Sequence, residues 1–599
     1  MSVALSWPDG SFLEALPAVD WSFLDALHAV DWAIIAGYLV FALVIGLVFA
    51  RRAGRSTSEF FLSGRNLPWW LAGTSMVATS FASDTPLLVT GLTRDHGVAG
   101  NWFWWSWIFG GMLGVFLLSR LWRRAEVVTD VELTEMRYSG RSAAWLRGFK
   151  AAYMALPINC ITMAWVMVAM MKLLDVLFGV PPVYAVIVCV AVATLYCMLS
   201  GFWGVVVTDL VQFALAMGGT VALCVVVAVK SGGLSEIASQ ARAASPLGER
   251  VLEFFPRLPD GGRFWTPAFW EGPFVAFVVF ITVQWWANKN ADGGGVIVQR
   301  MSSAKNERHS LLATLWFNVA HYALRPWPWI IVALASIAVF PEADGEAAYP
   351  EMIKAYAPVG LMGVMIATFL AAFMSTIDTH LNLSSAYLVN DVYRRFVRRD
   401  ASERHYVFVS RLVSVGLMAI SASIALRFTT IFGLTKFMVA FSSGAGLVFI
   451  LRWFWWRVSA WSEISAMIAS GVIASAIYLF RPDLPYAMTL VVTVAGSTVV
   501  WTAVTFLTPQ VASGHLASFY RKVRPSGAWG PIAAAAGVPP AEGLGRQAIH
   551  WLAGVAMVMG ATLGIGKLLL GSPLAGAVYL ALALAGGAVV LNGLLRRSA

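Results

Sequence analysis

The sequence predicts an all-α polytopic membrane protein with about 15 transmembrane helices. Three observations carry that prediction. Hydrophobic residues make up 59% of the 599 and charged residues only 12%, about half the charge of an ordinary soluble domain. That is too little polar surface for a water-soluble globule of this size, and it also excludes a disordered chain or a disulfide scaffold. The apolar residues gather in runs close to the ~20 residues that cross a hydrocarbon core. The basic residues fall in short clusters between those runs, as they do where Lys and Arg fix orientation. The net charge of +10 therefore belongs to topology and not to nucleic-acid binding.

The elements follow in order. Residues 1–31 carry Asp9, Glu14, Asp20, Asp25 and Asp31 without Lys or Arg, so they read as an extracytoplasmic segment and not as a signal peptide. An extra N-terminal helix (32–50) and a basic loop fill 32–67. Spans at 68–92, 102–121, 149–178, 182–200 and 204–229 make a first repeat, 68–229. The extracytoplasmic loop 230–270 is mixed in charge and is expected to carry a short surface helix. A second repeat, 271–452, holds spans at 271–295, 309–340, 358–389, 405–426 and 430–452. Two additional helices (459–480 and 486–508) complete 453–510. A cytoplasmic linker, 511–548, precedes a helix pair (549–571 and 574–595) within 549–599.

With this count the basic clusters share one side: Arg51/Arg52/Arg55/Arg65, Arg120/Arg123/Arg124, Arg300/Lys305/Arg308, Arg394/Arg395/Arg398/Arg399, Arg521/Lys522/Arg524 and Arg596/Arg597. The loop with Glu342, Asp344, Glu346 and Glu351 falls on the other. The reading is a multi-pass protein of the cell (inner) membrane, N-terminus outside and C-terminus cytoplasmic. Cys160, Cys189, Cys197 and Cys224 lie in apolar runs at spacings that match no zinc site.

Two spans are not clean helices. One reads Ala78-Thr79-Ser80-Phe81-Ala82-Ser83-Asp84-Thr85-Pro86 at its centre; the other ends Trp285-Trp286-Ala287-Asn288-Lys289-Asn290-Ala291-Asp292-Gly293-Gly294-Gly295. A Pro after a polar run and three consecutive Gly break helices. Broken backbone at membrane depth survives only where protein or a water-filled cavity satisfies it. Counted from the second helix, the breaks fall in the first and sixth members, which implies two five-helix repeats of opposite topology with a ligand site between them.

Ionisable residues within spans point the same way, because each is costly in lipid. Asp84, Asp209 and Asp378 have no route to the interface and read as functional. His321 reads as a packed core histidine. Arg325, before Pro326, either satisfies carbonyls freed by a kink or acts in function; Lys436 either snorkels or acts in function. Around Asp378, Ala372, Ser375, Thr376 and Thr379 share one helical face, offering a carbonyl and three hydroxyls of the kind a small hard cation takes. Asp209 is placed to meet Asp378 from another helix.

These residues resemble the sodium:solute symporter family over roughly 33–510. The resemblance rests on Phe60-Phe61-Leu62-Ser63-Gly64-Arg65-Asn66-Leu67-Pro68-Trp69-Trp70, on Ala371 to Tyr393 with its Asn390-Asp391-Val392-Tyr393-Arg394 ending, on Thr208-Asp209-Leu210-Val211-Gln212 and on Gln299-Arg300. It implies a LeuT-type 5+5 inverted-repeat transporter fold and alternating access coupled to Na+. By position it implies a main sodium site at the carbonyls of Ala78, Phe81 and Ala372 and the hydroxyls of Ser375 and Thr376. It also implies a second cation or proton site at Asp209, Asp378 and Thr379, where the aspartate at 378 departs from the hydroxyl of the family pattern.

The substrate-binding candidates are Ser80, Asp84, Thr85, Trp104, Trp286, Asn288, Lys289, Asn290 and Lys436. Carboxylate, amide and indole groups suit a sugar, whereas Lys289 and Lys436 suit a carboxylate or amino acid. The reading is sodium-coupled symport of a small polar organic solute, with a sugar favoured, by a monomer or weak homo-oligomer in the bilayer. Proton coupling and a membrane solute sensor are the alternatives. No nucleophile–base or metal-hydrolase motif is present, so the chain does not read as an enzyme.

Overall fold

The computed structural model describes residues 27–53, 63–127, 129–197, 202–258, 266–539, 541 and 543–595. The expectations for residues 1–26, for Arg55 and the Phe60-Phe61-Leu62 start of the first motif, and for Arg596 and Arg597 fall outside them. Each apolar run read as a span forms helix, in some cases broken into two pieces, over its described residues. Among the described residues, ten continuous helices are long and apolar enough to cross a membrane, and Ile431–Ser442 with Ala445–Phe454, bent by 48°, makes one more span. The remaining runs are the helix Ala29–Ala53, the helix Pro182–Cys197 and two broken spans.

The first broken span is Trp69–Thr79 followed by Asp84–His96. Pro86 sits in the first turn of the second piece, where its missing N–H costs nothing. The second broken span is Pro273–Gln284, then residues 285–293 outside any helix, then Gly294–Ser303. Gly293 and Gly294 have φ of 118° and 67°, the region that only glycine enters at no steric cost, so this restart is written in the sequence.

The order of elements recurs. After each broken span comes a helix interrupted by one wide π turn: Val98–Ala125 with Gly114–Leu118, and Glu307–Val339 with Val319–Leu324. Each is followed by a long helix, Gly140–Phe178 and Leu361–Val397. The long helices and broken spans are buried. Glu403–Ala425, Ala460–Phe480, Tyr486–Leu507 and Pro573–Leu595 instead turn Phe408, Leu412, Val472, Val499 and Leu584 outward, as a lipid-facing ring does.

Loops gather on two faces. On one, Arg65 donates to Glu126 O (2.6 Å), Arg123 to Ala304 O (2.8 Å), Arg124 pairs with Glu307 (2.8 Å) and Arg395 donates to Glu135 (3.0 Å). On the other, Lys172 pairs with Asp344 (2.7 Å) and Glu346 (2.9 Å), and Glu346 accepts the first N–H groups of Ile431–Ser442. Asp31 there accepts from Gly360 and Gly363 (2.8 Å each), fastening the extra N-terminal helix to Leu361–Val397. The loop after residue 230 carries the short helix Leu234–Ala244, with Ile237, Ala238 and Ala241 packed inward.

The segment 511–548 differs from a simple linker. It folds into Ser513–Val523 and Gly530–Ala536, two helices that bury Leu516, Phe519, Tyr520 and Trp529 against Trp122 and Trp453. Trp529 Nε1 donates to Trp453 O (2.8 Å). Its Gly, Pro and Ala content hid the aromatic residues that hold it.

Candidate functional site

The helix Trp69–Thr79 ends at the first break, and its last carbonyls lack intrahelical partners. Leu361–Ala386 brings Ser375 and Thr376 to that end. Thr376 Oγ1 donates to Thr79 O at 3.4 Å, and Ser375 Oγ donates to Asp209 Oδ1 at 2.7 Å. Ala78, Phe81 and Ala372 are all buried there. The hydroxyl face predicted from helical spacing thus meets the broken helix and the Asp209 helix, Phe202–Lys230, in one place.

Asp209 is fully buried and shared by four groups. Ser75 Oγ donates to it at 2.6 Å, Thr79 Oγ1 at 3.4 Å and Ser375 Oγ at 2.7 Å, and Arg300 Nη2 lies 3.6 Å away. Arg300 also donates to Thr79 (2.8 Å), Ser75 (3.2 Å) and Thr379 (3.4 Å). Asp378 accepts from Asn382 one turn later at 2.7 Å. The guanidinium therefore bridges the helices that carry Asp209 and Thr379. In the sequence Arg300 was read with Lys305 and Arg308 as a basic loop cluster; instead it is fully buried and reaches back to Asp209.

Beside this cluster the two breaks open on one cavity of about 190 Å³. Ser80, Asp84 and Thr85 line it from the first break, Lys289 and Asn290 from the second, and Thr376 from the hydroxyl face. Gly295 is pressed against Tyr387 at its edge: a Cβ there would stand 2.2 Å from the Tyr387 hydroxyl oxygen. Asn159, Thr162, Trp165 and His380 also line the cavity, and sequence reasoning missed them. Their signal was polarity within apolar spans, clearest for the Asn159–His380 pair (3.0 Å).

Four substrate candidates do not line the cavity. Trp104 stacks on Tyr322 (5.7 Å between rings) and donates to Asn101 (2.9 Å) within the core. Trp286 donates to Thr282 O (2.7 Å) in the helix just before the break. Asn288 braces the unwound backbone, donating to Trp285 O (3.1 Å) and accepting from Asn290 N (2.8 Å). Lys436 lies over the Phe432 ring at 4.4 Å. Arg325 does satisfy a carbonyl, but that of Val77 in the first broken span (3.3 Å) and not one freed by its own proline. His321 is packed among Trp104, Phe317 and Tyr322.

Comparisons with known proteins give the family and the fold. The model of the sodium:solute symporter family matches residues 60–470. Similar curated proteins include sodium/glucose cotransporter 4 of Danio rerio, 24% identical, covering 81% of this chain and 80% of that protein. The sodium/glucose cotransporter of Vibrio parahaemolyticus is 25% identical (76% and 85% covered), and the sodium/sialic acid symporter of Proteus mirabilis is 24% identical (76% and 90%). A solved structure of a Na+-coupled sialic acid symporter in a substrate-bound outward-open state superposes with a TM-score of 0.63 at 21% identity, over 81% of this chain and 99% of that one. The fold is thus the LeuT-type inverted-repeat architecture. The chain belongs to the sodium:solute symporter family: it is a multi-pass membrane transporter coupled to sodium, and not an enzyme.

Proposed function

We propose that the chain carries a small polar organic solute into the cell together with sodium, by alternating access between two five-helix repeats, 68–229 and 271–452. The observation that carries this reading is the meeting of both helix breaks and the Ser375–Thr376 face at one buried cavity. Sodium is assigned to the carbonyls of Ala78, Phe81 and Ala372 with the Ser375 and Thr376 hydroxyls. Asp209, Asp378 and Thr379 are assigned to a second cation or proton position, in which Arg300 already supplies one positive charge. The basic face is the cytoplasmic one, which puts the N-terminus outside. Outside sodium stabilises the outward-open state and raises solute affinity, and solute raises sodium affinity by the same factor.

The test is sodium-dependent thermal stabilisation of the purified protein, since binding to the native state alone raises the midpoint. Ser375→Ala and Thr376→Ala should each raise the sodium concentration needed for half the shift by roughly 10-fold or more, the cost of one charge-assisted contact. An unchanged titration in both would remove the site assignment.

A further inference from the structure

The two half-helices that restart after the breaks differ in charge at their N-termini. Both begin with first-turn N–H groups that have no intrahelical acceptor, at the positive end of a helix dipole. Asp84–His96 carries its own anion there, Asp84. Gly294–Ser303 has no acidic residue in its first turn, and Gly294, Gly295, Val296 and Ile297 all line the cavity. The backbone of that second N-terminus therefore borders the cavity with no carboxylate in its own first turn; Asn290 Oδ1 and Asp130 Oδ1 lie beside Gly294 and Gly295 from neighbouring segments.

Lys289 adds a second, independent sign. It lines the same cavity, is only 7% exposed, and its ammonium makes a single hydrogen bond among the described residues, to Thr162 Oγ1 at 3.4 Å. An ammonium has three donors. Three other deeply buried cations have carboxylate partners, Arg300 with Asp209 (3.6 Å), Lys150 with Asp130 (3.7 Å), and Arg452 with Asp292 and with Glu463 (3.2 Å), while Arg137 and Arg325 are held by backbone carbonyls. No ion pair joins Asp84 to Lys289 among the described residues, although both line the cavity. A buried charge without a partner is strongly unfavourable, and a neutral polyol accepting one hydrogen bond leaves it uncompensated.

Resting on the symport reading above, we propose that the transported solute carries a carboxylate, held between the Lys289 ammonium and the N-terminal amides of Gly294–Ser303. Its uncharged or cationic end then points to Asp84, whose Oδ1 is buried without a hydrogen-bond partner. Asn159, Thr162, His380 and Ser80 supply polar contacts between the two ends.

The experiment is a thermal-shift screen of the full-length purified protein in NaCl and in choline chloride. The probes are acetate, lactate, pyruvate, L-proline and N-acetylneuraminate, each beside its methyl ester or amide, with glucose, galactose, mannose and myo-inositol. The expected result is a sodium-dependent shift from at least one carboxylate that its ester or amide reproduces only at roughly 10-fold higher concentration or more. Lys289→Gln should abolish that preference while keeping the shift due to sodium alone. Stabilisation by an uncharged sugar, or no stabilisation by any carboxylate, overturns the proposal, and the ligand series on the natural protein decides this even if the variant fails to fold. A shift with sodium alone keeps the symport reading in either case; no response to sodium with or without solute overturns both.

Discussion

At the scale of single residues, the chain's scarcity of charge makes its buried charges interpretable. Asp209 and Arg300 illustrate the energetics, because neither is tolerable alone. Removing one partner of a buried ion pair costs about 3–5 kcal/mol, much of it the stranded charge, whereas removing both costs far less. Arg300→Met should therefore lower the thermal midpoint more than the double variant Arg300→Met/Asp209→Asn. Equal losses would mean that the pair is not coupled. Asp84 and Asp209 were legible in the sequence because a charge inside an apolar run has few explanations, and Lys289 because it sits at the glycine-rich break. Asn159, Thr162 and Trp165 were not, since their own helix gives no sign of which face meets the cavity. Trp104 shows the converse: an aromatic-rich stretch looks the same whether its rings line a cavity or, as here, stack on Tyr322 in the core.

At the scale of elements, the breaks matter more than the helices around them. The unwound stretch 285–293 is held from outside by the bent span, where Gly446 lies against it. A Cβ at Gly446 would stand 2.0 Å from Trp286 O and 2.6 Å from Asn288 N. Backbone offers no flexible end to move aside, so Gly446→Ala should push the unwound segment out of place. The expected cost is about 1–3 kcal/mol, with a weakened sodium titration. A normal titration would show that the segment repacks freely. Both breaks were readable from Pro86 and the three glycines, whose backbone demands are local. The close approach of Gly446 was not, because it depends on two elements about 160 residues apart.

At the scale of the whole molecule, the partition of loops gives a direct test of orientation. The described cysteines, Cys160, Cys189 and Cys224, are buried, so an added surface cysteine is readily told apart from them. A membrane-impermeant maleimide should label Glu342→Cys in intact cells and Asp400→Cys only after permeabilisation; the opposite pattern would reverse the topology. The alternation of basic and acidic loops was legible because it depends on counting spans and not on packing. The folded hairpin of 513–536 was not, because its partners lie on helices distant in the chain.

That hairpin bears on how the chain is made. Arg137 is fully buried, donating to the carbonyls of Arg452 (3.1 Å), Trp455 (3.2 Å) and Trp456 (3.0 Å), with its guanidinium over the Trp529 ring at 4.7 Å. All of these partners are synthesised more than 300 residues later. At about 5–20 residues per second, Arg137 waits ~20–80 s for Trp529 to leave the ribosome. From the end of the first repeat until residues 452–456 are made, its buried arginine has no native carbonyl acceptor. Biogenesis therefore has to leave this guanidinium hydrated at the headgroup level until the last third of the polypeptide arrives to enclose it.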